Sequence, residues 1–314
     1  LWVCSSGLLP NFKVWESKDG GVTFINADPN GVFVNIPVFD VLAIEGPNEI
    51  VFAATLDGVY YSDKTMAGNW CKYGETPSVQ VLGLKVNYCK NALIVTTYGR
   101  GAFEVSLPFQ DVPSTDITGT QTWTTPHHFP NTSLTIKSNS TLTINNTSCF
   151  FGPNSRLIVE KGAKLVVNNS TLNSESSCNG YLWPGIEVQG DINTRQVITS
   201  GRDVNHGYVI LQNNATVKNA HYALQNMVAN GQNIDWSKLG GGIVRCTNAK
   251  FINCQKAVQF MPYTNHNALG NIVNDLSYFT SCQFLTDAVT ASHNFLPETH
   301  AAFWYTKGIN LTAN

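Results

Sequence analysis

Short stretches in which every second residue is apolar run through the whole chain, and Gly, Asn and Asp residues separate them. Such alternation predicts β-strands that bury one face, because successive side chains of a strand point to opposite sides. No helical periodicity alternates with these strands, which excludes TIM-barrel and Rossmann-type folds. The pattern therefore predicts an all-β protein built from many short strands.

The first hundred residues repeat with a period of about 40 residues, the length of a four-stranded propeller blade. The segment VLAIEGPNEIVFAATLDGVYYS begins at Val41, and VLGLKVNYCKNALIVTTYGRGAFEVS begins at Val81. In this alignment Thr55 corresponds to Thr97. Each copy contains alternating apolar runs joined by turn residues, so the repeat predicts antiparallel strand–turn–strand units.

An earlier, partial copy carries a local motif, Ser17-x-Asp19-x-Gly21-x-Thr23-Phe24. Ser and Asp side chains at this spacing can bond the backbone of a tight turn, and glycine tolerates a positive φ there. We interpret these residues as structural, with the Asp side chain holding the turn and the aromatic ring packing between blades.

Residues 1–108 resemble the Asp-box blades of sialidase-type and sortilin-type propellers, on the strength of this motif and of the repeat. The resemblance implies the last blades of a β-propeller. Only two blades and part of a third are present, whereas closed propellers have roughly four to eight. We therefore expect the chain to be a fragment of a larger protein.

A second repeat follows a segment rich in Pro, Ser, Thr and Asp, residues 109–118, which reads as a linker. PNTSLTIKSNSTLTINNTSC begins at Pro130, and PNSRLIVEKGAKLVVNNSTL begins at Pro153. This register aligns the following pairs: Leu134 with Leu157, Ile136 with Val159, Leu142 with Leu165, Ile144 with Val167, Asn145 with Asn168, and Cys149 with Leu172. The same spacing would place Gly185–Gln189 one coil before Tyr208–Gln212.

Farther along, the spacing lengthens, so that Val217 aligns with Phe251 and Leu224 with Val258. The added residues fit a loop at NMVANGQNIDW, and a further copy places Phe284 in the column of Phe251. Units of this kind bury their apolar faces by stacking. The repeat predicts a parallel β-helix over residues 119–314, incomplete at its C-terminal end, with Asn ladders at its corners.

The order ITGTQTW, SLTIKSNSTLTI, RLIVEKGAKLVV, WPGIEVQG and GGIVRCTNAKFINC is similar to the right-handed β-helix of large secreted Bacteroidetes proteins. This resemblance implies export by the type IX secretion system, a secreted or cell-surface location, and further domains in the same chain. The whole fold expected is thus incomplete β-propeller blades joined to a right-handed parallel β-helix.

Composition restricts the function. The formal net charge is −2, and only 13% of the residues are charged, so the phosphate neutralisation that supports nucleic-acid binding is not expected. No apolar run of about 18 residues occurs, so no membrane-spanning helix is predicted. Of the eight cysteines, Cys71 and Cys89 are the pair expected to form a disulfide in an oxidising compartment.

Residues with catalytic chemistry are scattered over the coils. The best local group is Glu187 and Asp191 near Arg195 and Arg202, for which a solvated loop is the simpler interpretation. The histidines occupy different coils, and no cysteine pair has zinc-site spacing. The sequence therefore indicates no catalytic residue, metal site or cofactor.

Aromatic residues are the candidates for ligand contact, because Trp and Tyr rings can stack on sugars; we single out Trp183, Trp236 and Trp304. We expect a non-catalytic structural or binding region that serves adhesion or binds glycans or other surface proteins. The alternative is part of a secreted carbohydrate-active enzyme, either a propeller glycoside hydrolase or a β-helix polysaccharide lyase.

Overall fold

Strands account for nearly all regular structure in a computed structural model of the chain, as the alternating pattern predicts. The structure describes residues 1–7, 12–44, 49–74, 76, 78–107, 113–178, 180–227, 229–230, 233–286, 299–303 and 310–312. The chain divides into two compact units, Leu1–Pro113 and Ser114–Asn314. Ser114–Ile117 forms a strand of the second unit, so these four residues, predicted to lie in the linker 109–118, belong to that unit instead.

The described residues of the first unit form ten strands in three antiparallel sheets, of order β1-β2-β3, β4-β5-β6-β7 and β10-β9-β8. The strands are β1 Trp2–Cys4, β2 Val14–Glu16, β3 Ile25–Asn26, β4 Val38–Ile44, β5 Ile50–Thr55, β6 Gly58–Asp63, β7 Cys71–Lys72, β8 Val81–Asn87, β9 Ala92–Thr97 and β10 Gly101–Ser106.

The repeat found in the sequence corresponds to two equivalent antiparallel meanders in this unit. Thr55 Oγ1 donates a hydrogen bond to Gly58 O, and Thr97 Oγ1 donates one to Gly101 O, each at 2.8 Å. Both meanders carry a bulge near the start of their first strand. Two apolar clusters, one around Phe52 and one around Phe33, form the core of the unit.

The second unit contains three parallel sheets. Its strands are β11 Ser114–Ile117, β12 Thr120–Trp123, β13 His127–Phe129, β14 Ser133–Ile136, β15 Thr141–Asn145, β16 Ser148–Phe151, β17 Arg156–Val159, β18 Lys164–Asn168, β19 Thr171–Ser174, β20 Trp183–Val188, β21 Tyr208–Gln212, β22 Thr216–Lys218, β23 Ala220–Gln225, β24 Ala229–Asn230, β25 Asn233–Ile234, β26 Ile243–Thr247, β27 Lys250–Ile252, β28 Lys256–Phe260, β29 Tyr278–Thr280, β30 Gln283–Leu285, β31 Thr299–Phe303 and β32 Asn310–Thr312. Two 3-10 turns, Ser176–Cys178 and Trp236–Lys238, interrupt them.

The chain visits the three sheets in turn, which is consistent with a parallel β-helix. The first sheet has the order β11-β14-β17-β20-β23-β28-β31, and the second has β12-β15-β18-β21-β26-β29-β32. The third has β13-β16-β19-β22-β27-β30. β24 and β25 form a separate antiparallel hairpin within the loop that the sequence predicts between β23 and β26.

The register read from the sequence is confirmed between neighbouring coils. Leu134 pairs with Leu157, and Leu142 pairs with Leu165. All four side chains are fully buried in one continuous apolar cluster that fills the second unit. The longer spacing is confirmed as well, since Phe251 pairs with Val217 on one side and with Phe284 on the other.

One step of the predicted register is wrong. Residues 185–189 and 208–212 do not stack: β20 pairs with β17 and β23 in the first sheet, whereas β21 pairs with β18 and β26 in the second. The reason is a long connection, residues 189–207, between β20 and β21. Because its length makes the two strands fall one repeat apart in sequence, the pattern mimics a stacked pair.

Asparagines form ladders at a corner of the coils, as predicted. Asn168 Nδ2 donates to Asn145 Oδ1 at 2.6 Å, and Asn169 Nδ2 donates to Asn146 Oδ1 at 2.8 Å. Asn146 and Asn169 have φ of 51° and 44°, a left-handed conformation that Asn adopts more readily than most residues. The corner geometry therefore accounts for the Asn-rich composition.

Two further expectations concern cysteines and membranes. Cys71 is an exposed free thiol, so the bridge expected between Cys71 and Cys89 is not formed. Among the described residues, no helix is both long and apolar enough to cross a membrane.

Candidate functional site

The Asp-containing motif forms the connection from β2 to β3. Asp19 Oδ1 accepts hydrogen bonds from Thr23 N at 2.9 Å and Val22 N at 3.1 Å, while Thr23 Oγ1 donates to Asp19 Oδ2 at 2.6 Å. Gly21 N donates to Ser17 Oγ at 2.7 Å. The bonds from Thr23 are the main reason why the pKa of Asp19 falls to about 2. These contacts serve the turn itself.

The aromatic residue of this motif departs from the expectation. Phe24 is 44% exposed, so its ring does not pack between sheets as predicted. The apolar clusters of the first unit are complete without it.

The three tryptophans singled out from the sequence have different outcomes. Trp183 is fully buried, stacks on Phe151 with ring centroids 4.6 Å apart, and donates from Nε1 to Lys218 O at 2.8 Å. It is a core residue, and its selection as a ligand contact was wrong. Trp236 is 67% exposed and remains a candidate. Trp304 lies outside the described residues.

The acid–arginine group proposed around Glu187 and Asp191 is rearranged. Asp191 faces Lys161, with 3.6 Å between Oδ2 and Nζ. Glu187 faces Arg156, with 3.8 Å between Oε2 and Nη1. Arg156 belongs to the preceding coil and is distant from Glu187 in sequence, so this ion pair could not be predicted from neighbouring sequence positions.

A buried polar network joins the long connection 189–207 to the segment before β29. His206 Nδ1 lies 3.0 Å from Asp203 Oδ1, and both residues are almost completely inaccessible. Gln196 Nε2 donates to Asp275 Oδ2 at 3.0 Å, and Tyr263 Oη donates to Thr194 O at 2.7 Å. Because these groups satisfy one another in the interior, the network holds the two connections together and offers no access to a ligand.

The strongest candidate is a small cavity, which we call the Glu187 cavity, on the outer face of the first sheet. Its volume is about 180 Å³, and it is lined by Arg156, Pro184, Glu187, His221, Tyr222, Gln225 and Met227. Cavities for drug-sized ligands measure roughly 300–1,000 Å³. This one therefore suits a single small polar unit, such as one residue of a polymer.

Strand register explains why these side chains meet. Glu187 pairs with Ile158 on one side and with Gln225 on the other, so the three form one outward column. The pairing of β20 with β23 shifts between Gly185 and Ile186. Such bulges re-aim side chains, and the consecutive residues His221 and Tyr222 both line the cavity.

Gly185 allows this bulge. Its φ is +102°, and a Cβ atom there would lie 1.6 Å from Tyr222 O. No other residue fits such close backbone approach with a positive φ. The glycine in WPGIEV is therefore part of the construction of the cavity.

Glu187 is an outward-facing carboxyl that is only 3% exposed. Burial raises the pKa of Glu187, although the hydrogen bond from Gln189 Nε2 at 3.2 Å and the charges of Arg156 and Lys238 act in the opposite direction. Asp235, next to Trp236, adds a smaller repulsion. The charges of Asp235 and Lys238 thus act on Glu187 from the 3-10 turn Trp236–Lys238. The same turn carries the exposed Trp236 ring.

Gln225 supplies an unsatisfied acceptor. Its Oε1 atom is buried and accepts no hydrogen bond from any described residue. Leaving a buried carbonyl oxygen unpaired costs about 1–3 kcal/mol. Gln225 lines the same cavity as Glu187, so a ligand hydroxyl that reaches this oxygen and donates to it would remove this cost.

The cavity combines an acceptor, a carboxyl with a raised pKa, a cation and an aromatic ring. Lys256 Nζ lies 5.4 Å from the centroid of the Tyr222 ring and so fixes one side of it. This set can accept from and donate to hydroxyl groups while the ring covers an apolar face. Within the described residues, no group of three or more His, Cys, Asp or Glu side chains could hold a metal ion.

A larger cavity of about 390 Å³ lies in the first unit, between residues of its first two sheets. Its carboxylates already have partners: Glu16 lies 3.5 Å from Lys18 Nζ, and Glu49 accepts from Trp2 Nε1 at 3.3 Å. No unsatisfied polar side-chain atom of the described residues lines it. It is therefore the weaker candidate.

Comparisons of the chain with protein-family models, with curated proteins and with solved structures find no match.

Proposed function

We propose that this chain is a non-catalytic, glycan-binding and structural region of a secreted or cell-surface multidomain bacterial protein. The first unit, with its three antiparallel sheets, fits a run of propeller blades. The second unit fits a right-handed parallel β-helix, which serves as a rigid scaffold for the binding site. The sequence resemblance to secreted Bacteroidetes proteins supports the location.

The observation that carries the glycan assignment is the unpaired Gln225 Oε1 beside the buried Glu187 carboxyl in one small cavity. Sugars present many hydroxyl groups that both donate and accept, and this cavity offers both kinds of partner. Exposed Trp236 supplies a surface on which a neighbouring sugar ring of a longer chain can stack.

The test is a glycan microarray with the full 314-residue chain, followed by calorimetry on the best ligand. Glu187→Gln and Gln225→Leu should each weaken binding about tenfold or more, as expected for loss of one hydrogen bond in a buried site. Glu160→Gln is the matched control, because Glu160 pairs with Lys137 outside the cavity. Equal affinity in all four proteins would refute the site.

One observation favours the enzymatic alternative. The pKa of Glu187 is raised by burial, whereas the pKa of Asp235 is lowered, chiefly by a hydrogen bond from Ser237. Carboxyls with opposite shifts are typical of acid–base pairs in glycosidases. However, Asp235 Oδ1 is already bonded to Ser237 Oγ at 2.6 Å, and Asp235 Oδ2 lies 3.2 Å from Lys238 Nζ.

Product analysis separates the two functions. We expect the bound glycan to be recovered intact after incubation with the protein. Release of shorter sugars, or of unsaturated products that absorb in the ultraviolet, would support the enzyme if it disappears in both Glu187→Gln and Asp235→Asn.

A further inference from the structure

Three cations gather on the outer face of the second sheet, whereas the Glu187 cavity lies on the first sheet. Lys164 begins β18, Arg245 lies in β26, and Arg202 belongs to the connection. Arg202 Nη2 donates to Thr141 Oγ1 at 3.0 Å, which anchors it to the neighbouring strand β15. We call these three residues, with Tyr208 and Tyr278, the cationic patch.

The two tyrosines hold the cations in place. Lys164 Nζ lies 5.3 Å from the centroid of the Tyr208 ring, and Arg245 Cζ lies 5.5 Å from the same centroid. Arg245 Cζ is also 5.5 Å from the centroid of Tyr278. All three distances are within the range of cation–π attraction, and the Tyr208 ring is shared by two positive charges.

Lys164 and Arg245 also donate to backbone carbonyls, and Arg245 forms a side-chain hydrogen bond with Tyr208. Lys164 Nζ donates to Gly201 O at 2.9 Å, and Arg245 Nε donates to Leu276 O at 3.1 Å. The side chains of Lys164 and Arg245 are half-buried and therefore still accessible to solvent. The contacts fix the positions of the charges without neutralising them.

Among the described residues, no carboxylate forms an ion pair with a cation of the patch. In the part of the chain that the structure describes, none of the ion pairs involves Lys164, Arg202 or Arg245. Asp203, which follows Arg202 in sequence, is turned inward to His206 and is 1% exposed. Burial and the charges of the two arginines lower the pKa of Lys164.

This arrangement is unusual for the chain, because acidic residues outnumber basic ones and other lysines have carboxylate partners, such as Lys137 with Glu160 and Lys90 with Glu104. Like charges held together raise the free energy of the folded protein. An anion bound among the three cations would offset this repulsion and accept charge-assisted hydrogen bonds from them.

We infer that the cationic patch is a binding site for an acidic polysaccharide, whose carboxylate or sulfate groups lie between Lys164, Arg202 and Arg245 while a sugar ring contacts the half-buried Tyr278. This inference rests on the proposed function for the class of ligand, a glycan. The inference adds that this glycan is negatively charged and that it binds at a second site, apart from the Glu187 cavity. A nucleic acid is the less suited polyanion, since the remaining charges of the chain are few and mixed in sign.

The experiment measures binding of the full 314-residue chain to four probes: polygalacturonate for carboxylates, dextran sulfate for sulfates, neutral dextran, and double-stranded DNA. We expect at least one acidic polysaccharide to bind, with affinity that falls as salt is raised. Lys164→Gln and Arg245→Gln should each weaken that binding about tenfold. Lys250→Gln, which removes one charge on the third sheet, should leave it unchanged.

Thermal unfolding of each variant establishes whether it is folded. If Arg245→Gln does not fold, Lys164→Gln alone tests whether the patch binds the polysaccharide. The inference is overturned if neither acidic polysaccharide binds, if neutral dextran binds equally well, or if Lys250→Gln has the same effect. DNA binding that equals polysaccharide binding and responds to the same variants would also overturn it.

Glu187→Gln keeps the two sites apart. If it leaves acidic-polysaccharide binding intact while weakening binding of the ligand found on the array about tenfold or more, both assignments stand. If the array ligand depends on Glu187 but the acidic probes do not depend on Lys164, the cationic patch is refuted and the proposed function survives.

Discussion

Truncating Leu165 to Ala tests the stacked core of the second unit. Leu165 is fully buried and pairs with Leu142 in the preceding coil and with Val209 in the next. The lost transfer free energy of three carbon groups is about 2.4 kcal/mol. Parallel hydrogen-bond ladders on both sides restrain the backbone from closing the gap, so a cavity term adds to this loss. We expect a total cost of about 3–5 kcal/mol, in the upper part of the range for buried leucines.

Urea unfolding of wild type and variant, followed by tryptophan fluorescence, measures this cost, and buried Trp183 reports on the same unit. Val166→Ala is the matched control. Val166 is the next residue of the same strand, but its side chain is on the outer face and half-buried, so its truncation should cost about 1 kcal/mol or less. If Leu165→Ala costs no more than Val166→Ala, the inward column of leucines is wrong.

Three further predictions concern titratable groups. The pKa of Asp19 is lowered to about 2, so its stabilising effect is present above about pH 4 and is lost as the pH falls toward 2; acid titration of Asp19→Asn should lack this loss, and an identical profile would contradict the prediction. The pKa of Glu187 is raised, so its charge destabilises the fold at neutral pH; Glu187→Gln should therefore be more stable than wild type at pH 7, with a difference that disappears below about pH 4. A hydrogen bond with Cys246 lowers the pKa of Cys282 to about 7, whereas burial raises that of Cys149 to about 12; iodoacetamide at pH 7 should therefore label Cys282 before Cys149, and mass spectrometry showing the reverse order for these two residues would refute the prediction.

Residue alternation and repeat spacing were enough to predict the strands and much of their pairing. Leu134 and Leu157 stack because each coil buries its own alternate residues against those of the next, a local rule that repeats. The Asn corners followed for the same reason, since Asn145 and Asn168 occupy equivalent positions in consecutive coils. Because the repeat spacing is regular, the contacts between successive coils can be predicted from the local pattern of apolar residues.

The cavity could not be predicted in this way. Arg156 and Tyr222 approach Glu187 from neighbouring coils, and the pairing of β20 with β23, which carries Tyr222, shifts at a bulge after Gly185 that breaks the repeat. The sequence instead paired Glu187 with nearby Arg195 and Arg202, which the connection 189–207 directs elsewhere. The one signal that could have indicated the site is the glycine of WPGIEV, a strand interior position where glycine is otherwise unfavourable.

Trp183 shows why residue type alone misleads in a coil of this kind. Its indole is a candidate for sugar stacking by residue type, yet its ring stacks on Phe151, which stacks in turn on Phe129 with centroids 5.2 Å apart, so the three rings form one column. Strand register does not show this contact, because Phe151 pairs with Ser174 in the third sheet and Trp183 lies in the first sheet. An aromatic in an irregular insertion, such as Trp236, has no such column to join and stays exposed.

Both proposed binding sites lie where the repeat is broken. The Glu187 cavity depends on the bulge at Gly185, and the cationic patch depends on Arg202 and Gly201, which the connection 189–207 brings over the second sheet. In a regular coil, each outward residue stands beside an equivalent one, and equivalent residues satisfy one another, as the Asn ladders do. Gln225 Oε1 and the three cations lie where an insertion or bulge places unlike residues side by side. Local departures from the repeat are thus the positions at which this fold can present polar and charged groups to a ligand. Shortening the connection 189–207 should therefore abolish polysaccharide binding at the cationic patch, while urea unfolding shows that the stacked core is retained.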